Sequence, residues 1–120
     1  MGVVRMVDVV RAAAALGNEK RYAILKILCR GSFQSCCHRL EIWENGACVS
    51  DVVSMFKLSQ STVSHHLAIL EAAGLVERET RGLYTCYFPN RETVLALIGA
   101  LQADLLSGGP AASPDDGSAG

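Results

Sequence analysis

Apolar side chains recur at helical spacing in five stretches of the chain. The first stretch predicts an amphipathic helix over residues 3–16. The second predicts a helix that starts after Asn18, a residue type favoured as an N-cap, and ends near Cys29, before Gly31. These two helices form the predicted N-terminal part of the fold.

The third and fourth stretches are separated by a tight turn at Lys57 and Leu58. The third predicts a short helix over residues 48–56, and the fourth a helix that Ser59 caps and Gly74 ends. In the fourth helix the apolar residues are spaced four and three apart, so they face the core. They are Val63, Leu67 and Leu70.

Strand spacing replaces helical spacing after this pair of helices. The segments LVERET and LYTCYF alternate apolar and polar residues around Arg81-Gly82, which indicates a hairpin. A last amphipathic helix follows Pro89-Asn90. The predicted fold is therefore mainly α with a small β-hairpin, in the order of a winged helix-turn-helix.

Two segments show no period of either kind. The connection GSFQSCCHRLEIWENGA joins the second and third helices, and long irregular connections inside compact domains are often functional. The C-terminal segment GGPAASPDDGSAG has too few large apolar residues to fold. We expect one domain over residues 1–107 and a disordered tail over 108–120.

Composition restricts the functions that such a domain could serve. The formal net charge of −1 means that any DNA binding has to use a local patch rather than bulk positive charge. No stretch approaches the roughly 20 apolar residues of a membrane span, so no membrane partner is expected. The odd number of cysteines, five, argues against a disulfide framework and for a cytoplasmic protein with reduced thiols.

The polar side of the fourth helix is the candidate DNA-reading surface. A recognition helix places its N-terminal residues in the major groove, where amide and hydroxyl side chains contact bases and phosphates. Arginines of the predicted wing are placed to meet backbone phosphates. His66 is predicted to be structural. The candidate DNA-binding residues are Lys57, Ser59, Gln60, Ser61, Thr62, Ser64, His65, Arg78 and Arg81.

These residues also carry a resemblance to a known family. The segments LGNEKRYAILKIL and ACVSDVVSMFKLSQSTVSHHLAILEAAGLVERETRGLYTCYF resemble the core of the ArsR/SmtB family of metal- and metalloid-responsive repressors. The resemblance implies a homodimer through the first and last helices, binding to double-stranded operator DNA without ligand, and release when an inducer binds. The apolar stripes of the two terminal helices fit such a dimer independently.

The cysteines depart from the pattern of that family. Arsenic-sensing members carry a CVCDLC-like motif where this chain reads CVSDVV, so only Cys48 matches. Thiolates select soft ions, and clustered thiols bind better than isolated ones. We expect a three-thiolate site for trivalent arsenic or antimony, built from Cys36, Cys37 and Cys48, with Cys29 as an extra or substitute ligand.

Other interpretations of the thiols stay open. Four thiolates, or three with His38, could bind zinc, and a cadmium, mercury, thiol-redox or persulfide response would suit the same fold. Simple packing of buried cysteines is a further alternative. Cys86 stands apart in sequence, in a wing strand, and is predicted to be structural. A Cys37-His38 enzyme would need an orienting group and a pocket, so catalysis is not expected; an interaction module is a remote alternative.

Overall fold

A computed structural model of the chain describes residues 7–31 and 46–106. The predicted order of four helices, a hairpin and a last helix is confirmed, and one short strand is added before the third helix. The elements are α1 (Val9–Leu16), α2 (Glu19–Arg30), β1 (Ala47–Cys48), α3 (Val49–Phe56), α4 (Gln60–Ala72), β2 (Val76–Arg81), β3 (Tyr84–Pro89) and α5 (Arg91–Leu105). None of the helices in the described ranges is long and apolar enough to span a bilayer.

Helix α1 begins later than its apolar period predicts. The prediction that this helix includes Val7 and Asp8 is wrong, because Asp8 has an extended backbone with φ −88° and ψ 104°. Its carboxylate accepts the backbone N–H of Arg11 at 3.0 Å, so Asp8 acts as the N-cap. Val7 therefore lies outside this helix, and residues 3–6 of the predicted helix lie outside the described residues.

Both ends of α2 agree with the sequence prediction to within a residue. The Asn18 side chain accepts the backbone N–H groups of Lys20 and Arg21, at 2.9 and 3.0 Å. At the other end, Gly31 adopts φ 62°, a left-handed conformation that glycine takes without a steric penalty. The helix ends at Arg30 for this reason.

The wing is a three-stranded antiparallel sheet with the order β1-β3-β2. The predicted hairpin is confirmed, with Arg81 opposite Tyr84 and Gly82 in the turn at φ 65°. Strand β1 lies on the other side of β3 and pairs Ala47 with Tyr87. Since β1 runs directly into α3, the sheet is joined to the helix-turn-helix by a continuous backbone.

The core lies between α2, α4 and the start of the wing. The three residues of α4 that were expected to face inward, Val63, Leu67 and Leu70, have no exposed surface. They pack in one cluster with apolar residues from α1, α2 and α5. Each fully buried side chain of this size contributes about 1.5–3 kcal/mol. This packing fixes the orientation of α4 and leaves its opposite side in solvent.

Candidate DNA-binding surface and thiol groups

The start of α4 is organised by the hydroxyl group of Ser59. Its Oγ accepts the backbone N–H of Thr62 at 3.1 Å and donates to Thr62 Oγ1 at 2.8 Å. It also lies 3.3 Å from Ser61 Oγ. The cap satisfies one backbone donor and leaves the other amides of the first turn pointing outward, where they favour an anion.

The predicted reading residues form one surface on the first two turns of α4. Ser59, Gln60, Ser61 and His65 are exposed, and Thr62 and Ser64 are half-buried. Ala68 continues the exposed side with a small side chain. Their spacing along the helix places them opposite the buried residues, so they face solvent together. We call Ser59, Gln60, Ser61, Thr62, Ser64 and His65 the reading surface.

Lys57 lies in the turn that leads into the reading surface. It is exposed and has φ 56°, the one positive φ of a non-glycine residue in the part of the chain that the structure describes. Its backbone N–H bonds to the carbonyl of Val53 at 2.8 Å and ends α3. The left-handed conformation turns the chain sharply and places this cation beside the start of α4.

Both predicted wing arginines have carboxylate neighbours. Arg78 Nε lies 3.6 Å from a carboxylate oxygen of Glu71 on α4. Arg81 lies 3.2 Å from Glu79 and 4.9 Å above the ring of Phe88, a cation–π contact. A DNA phosphate would therefore compete with an acidic side chain for each guanidinium.

His66 does not belong to the reading surface. It is buried, as expected for a structural residue, and its Nδ1 lies 3.4 Å from Nη1 of Arg21. The Arg21 Nε also donates to the carbonyl of Ala15 at 2.7 Å, so this contact links α1, α2 and α4. Burial lowers the pKa of His66, and the charges of Arg21 and His65 lower it further.

The cysteines expected to bind an inducer are only partly within the described residues. Cys36 and Cys37 lie outside them, as does the tail over 108–120. Cys29 packs against the main core, in a different cluster from Cys48. Burial raises the pKa of the Cys29 thiol, and the charge of Arg91 partly opposes this. In residues 7–31 and 46–106 no three His, Cys, Asp or Glu side chains converge into a metal site.

Cys86 lies close to Cys48 in space. It lies directly opposite Cys48 in the pairing of β3 with β1, and these two residues form a small buried cluster with Phe88. The distance of Cys86 from Cys48 in sequence therefore does not mean distance in space, and the assignment of Cys86 as structural stays a prediction. A strand of two residues leaves no periodic signal, so the sequence could not reveal the pair.

Cys48 also holds the first turn of α3. Its backbone N–H donates to Oδ2 of Asp51 at 3.0 Å, and its thiol donates to the same oxygen at 3.4 Å. Its Sγ lies 3.1 Å from the hydroxyl oxygen of Ser50. Asp51 is itself buried, so the thiol and the helix cap share one carboxylate.

The last helix leaves much of its apolar surface uncovered. Only Leu97 among its leucines is buried, in contact with the main core. The large apolar residues of α5 and the segment after it that remain in solvent are Leu95, Ile98, Leu101, Leu105 and Leu106, and Val10 on α1 is 78% exposed. Packing among residues 7–31 and 46–106 therefore does not account for the apolar stripe of α5.

A capped helix with an exposed polar side, a preceding short helix and a β-wing define a winged helix-turn-helix regulator. Comparison with known sequences supports this class of protein. The family described as "Bacterial regulatory protein, arsR family" matches residues 40–78. The uncharacterised HTH-type transcriptional regulator YbzH of Bacillus subtilis (strain 168) is 35% identical over 92 residues, 76% of this chain and 92% of that protein.

Two further similar proteins are a curated relative and a solved structure. The arsenical resistance operon repressor of Bacillus subtilis (strain 168) is 33% identical over 84 residues, 70% of this chain and 68% of the repressor. A homodimeric winged helix-turn-helix DNA-binding domain from Mycobacterium bovis shares the fold, with a TM-score of 0.58 and 24% identity, over 80% of this chain and 78% of that one. The chain belongs to the ArsR family and is a transcriptional repressor, not an enzyme.

Proposed function

We propose that this repressor binds operator DNA as a homodimer through the reading surface of α4, and that a thiol-binding inducer releases it. The reading surface carries the proposal, because its polar side chains share one exposed side of a helix that the core holds rigidly. Gln60 can pair bidentately with adenine, and the small hydroxyl residues allow close approach to base edges. Lys57 and the wing arginines bind the phosphates on either side.

The test of DNA binding compares charged and polar residues inside and outside the reading surface. Gln60→Ala and Ser64→Ala should weaken specific operator binding while leaving the fold intact, and Lys57→Ala should weaken binding to all sequences. Lys26→Ala is the matched control, since Lys26 is an exposed lysine on α2. Fluorescence anisotropy with a labelled operator measures each affinity. Unchanged specific affinity for both Gln60→Ala and Ser64→Ala would refute the reading surface.

The exposed apolar residues of α5 support the dimer. Leu95, Ile98 and Leu105 are each more than half exposed, and continuous apolar surface of this kind is characteristic of subunit contacts. The relative from Mycobacterium bovis is homodimeric. We expect Ile98→Glu to shift wild-type dimers to monomers in sedimentation equilibrium, whereas Glu92→Lys, at an exposed position on the same helix, should not.

The inducer is proposed to be trivalent arsenic or antimony, with zinc as a possible alternative ligand. Support comes from the four thiols within twenty residues of sequence and from the Bacillus subtilis relative, which is an arsenical resistance operon repressor. The proposed ligands are Cys36, Cys37 and Cys48, with Cys29 as an extra or substitute. The raised pKa of Cys29 disfavours its thiolate, which is the form that binds a metal or metalloid.

Release would begin at the first turn of α3. Cys48 precedes this helix, and α3 packs against α4. Binding of the inducer would remove the thiol proton, so Cys48 could no longer donate to Asp51 and the carboxylate would lose one of the contacts that hold the first turn of α3. An inducer that binds more tightly when α3 and α4 are in an arrangement unable to bind DNA lowers the DNA affinity. The loss equals the difference between its binding free energies for the two arrangements.

The inducer experiment titrates the reduced protein on its operator with arsenite, antimonite, zinc, cadmium and mercury. Arsenite or antimonite should dissociate the wild-type complex but not the Cys36→Ser or Cys48→Ser complex. Release by zinc or cadmium alone would assign the site to those ions, and release by peroxide or persulfide alone would assign a redox response. Release by arsenite that persists in both variants would contradict the proposed ligands.

A further inference from the structure

Two buried thiols face each other where the wing meets the helix-turn-helix. Cys48 of β1 and Cys86 of β3 are direct partners in an antiparallel pair, with 2% and 0% of their surfaces exposed. Residues directly opposite in such a pair have Cα atoms about 4.5–5.5 Å apart, and their side chains lie on the same side of the sheet. That spacing is within the range of about 4.4–6.8 Å at which two cysteines can be bridged.

The surroundings of the pair restrict what it could bind. In the described part of the chain no third Cys, His, Asp or Glu joins these thiols to complete a metal site. Glu79 is the partner of Cys86 on β2, and Asp51 accepts a hydrogen bond from Cys48. A suitable ligand is therefore one that two thiolates satisfy.

We propose that Cys48 and Cys86 form a two-thiol site for a trivalent arsenical that carries one organic substituent and two exchangeable oxygen ligands. This site differs from the three-thiolate site considered above, because both of its ligands lie at the junction of wing and helix. Only its effect on DNA binding rests on the proposed function. Binding itself can be tested without DNA.

The binding reaction is a ligand exchange without redox change. Each As–OH bond of R–As(OH)2 is replaced by an As–S bond, to Cys48 in one case and to Cys86 in the other. Each thiol proton leaves with a hydroxide as water, so two water molecules are released. Arsenic remains trivalent, and no oxidant or reductant is needed.

A cleft beside Cys48 provides room for the organic substituent. It has a volume of about 230 Å³ and lies between the start of α3, the start of α4 and the tip of the wing. Cys48, Gln60 and Tyr84 are among its lining residues. Gln60 of the reading surface lines the same cleft as Cys48, so a substituent that occupied the cleft would share it with this residue. If Gln60 contacts DNA as proposed, occupancy of the cleft would therefore interfere with DNA binding.

The binding test uses the full chain with Cys29, Cys36 and Cys37 replaced by serine, which leaves Cys48 and Cys86 as the two remaining thiols. The probe is phenylarsine oxide in the presence of excess glutathione, which removes arsenic held by a single thiol. Intact-mass measurement should show one phenylarsenic group per chain with the loss of two protons. Chelation by a second thiol should strengthen binding by about 10²–10⁴-fold.

Single-thiol variants provide the matched controls. Cys86→Ala removes one ligand, and Cys48→Ser removes the other while keeping a residue that caps helices well. Each should lose the adduct under glutathione, with circular dichroism confirming the fold. A second, ligand-free measurement treats the two-thiol protein with diamide, which should join the sulfurs with the loss of two hydrogens.

The outcomes separate the site from the proposed function. An adduct that needs both cysteines, together with a Cys48–Cys86 disulfide on oxidation, supports the site. Absence of both products from the folded protein overturns it, and so does an adduct that survives in either single-thiol variant. An adduct that forms but leaves operator affinity unchanged supports the site and counts against thiol-controlled release.

Discussion

The hydroxyl of Ser59 is expected to have two roles that substitutions can separate. It caps α4 by accepting the N–H of Thr62 at 3.1 Å, and it lies at the edge of the reading surface. Ser59→Ala removes the cap and should lower the free energy of unfolding by about 1 kcal/mol, within a usual range of about 0.5–2 kcal/mol. Ser59→Asp keeps a capping oxygen and adds a negative charge that the helix N-terminus favours, so its stability should stay near wild type.

The same two variants should rank in the opposite order for DNA affinity. Alanine loses one hydrogen bond, worth about 0.5–1.5 kcal/mol. An aspartate about 4 Å from a phosphate would cost about 1–4 kcal/mol, depending on the effective dielectric constant. Thus Ser59→Ala should be the less stable protein and Ser59→Asp the weaker binder, by up to about three orders of magnitude.

Urea denaturation at fixed protein concentration and anisotropy with labelled operator measure the two quantities. Fixed concentration matters because dissociation of a dimer would otherwise contribute to the apparent stability. Ser54→Ala, at an exposed serine of α3, is the control for loss of a hydroxyl. If Ser59→Asp binds the operator as tightly as wild type, this end of α4 does not face DNA and the reasoning fails.

Three further predictions concern parts that support the reading surface. Gly46→Ala would place a Cβ 2.6 Å from Cδ1 of Phe88, so urea denaturation should show a loss of about 1–3 kcal/mol; equal stability would mean that the ring moves without cost. Lys57→Gly should relieve the left-handed backbone and stabilise the fold by up to about 1 kcal/mol in urea denaturation. The slope of log DNA affinity against log salt concentration should fall in magnitude by about one, and an unchanged slope would exclude a phosphate contact by Lys57. The pKa of His66 is lowered in the folded state, so the unfolded state binds more protons than the folded state below about pH 6.5. The contribution of neutral His66 to the free energy of unfolding should therefore be fully present above that pH and be lost on acidification. His66→Gln should flatten this dependence in denaturation curves at pH 7.5 and 5.5, and identical curves for both proteins would contradict it.

Local rules account for most of the helices. Asn18 and Ser59 are strong N-caps followed by apolar residues at helical spacing, so both helix starts are predictable from a few neighbouring residues. The start of α1 is different, because apolar residues continue past Asp8 toward the N-terminus. The structure starts α1 after the cap at Asp8 although the apolar period continues further, since a helix begins where its first amides find a partner.

The thiol pair could not be predicted because it depends on a pairing between distant strands. Strand β1 has two residues, which is too short for alternation to appear, and its partner lies beyond two helices. Only the register of β1 with β3 brings Cys48 and Cys86 together. By contrast, the reading surface is local to one helix, so its residues could be listed in advance.

The carboxylates beside Arg78 and Arg81 have a consequence for how the repressor finds its target. If Arg78 and Arg81 bind DNA as proposed, arbitrary DNA offers them only phosphates, and each phosphate must displace Glu71 or Glu79 before it gains a guanidinium. Brief encounters along the chromosome are thus held weakly, which matters because a genome presents about 10⁶–10⁹ competing sites. The cost of this exchange is the same at the operator, so the wing acids would lower the affinity for all DNA alike and leave the choice of sequence to contacts with base edges.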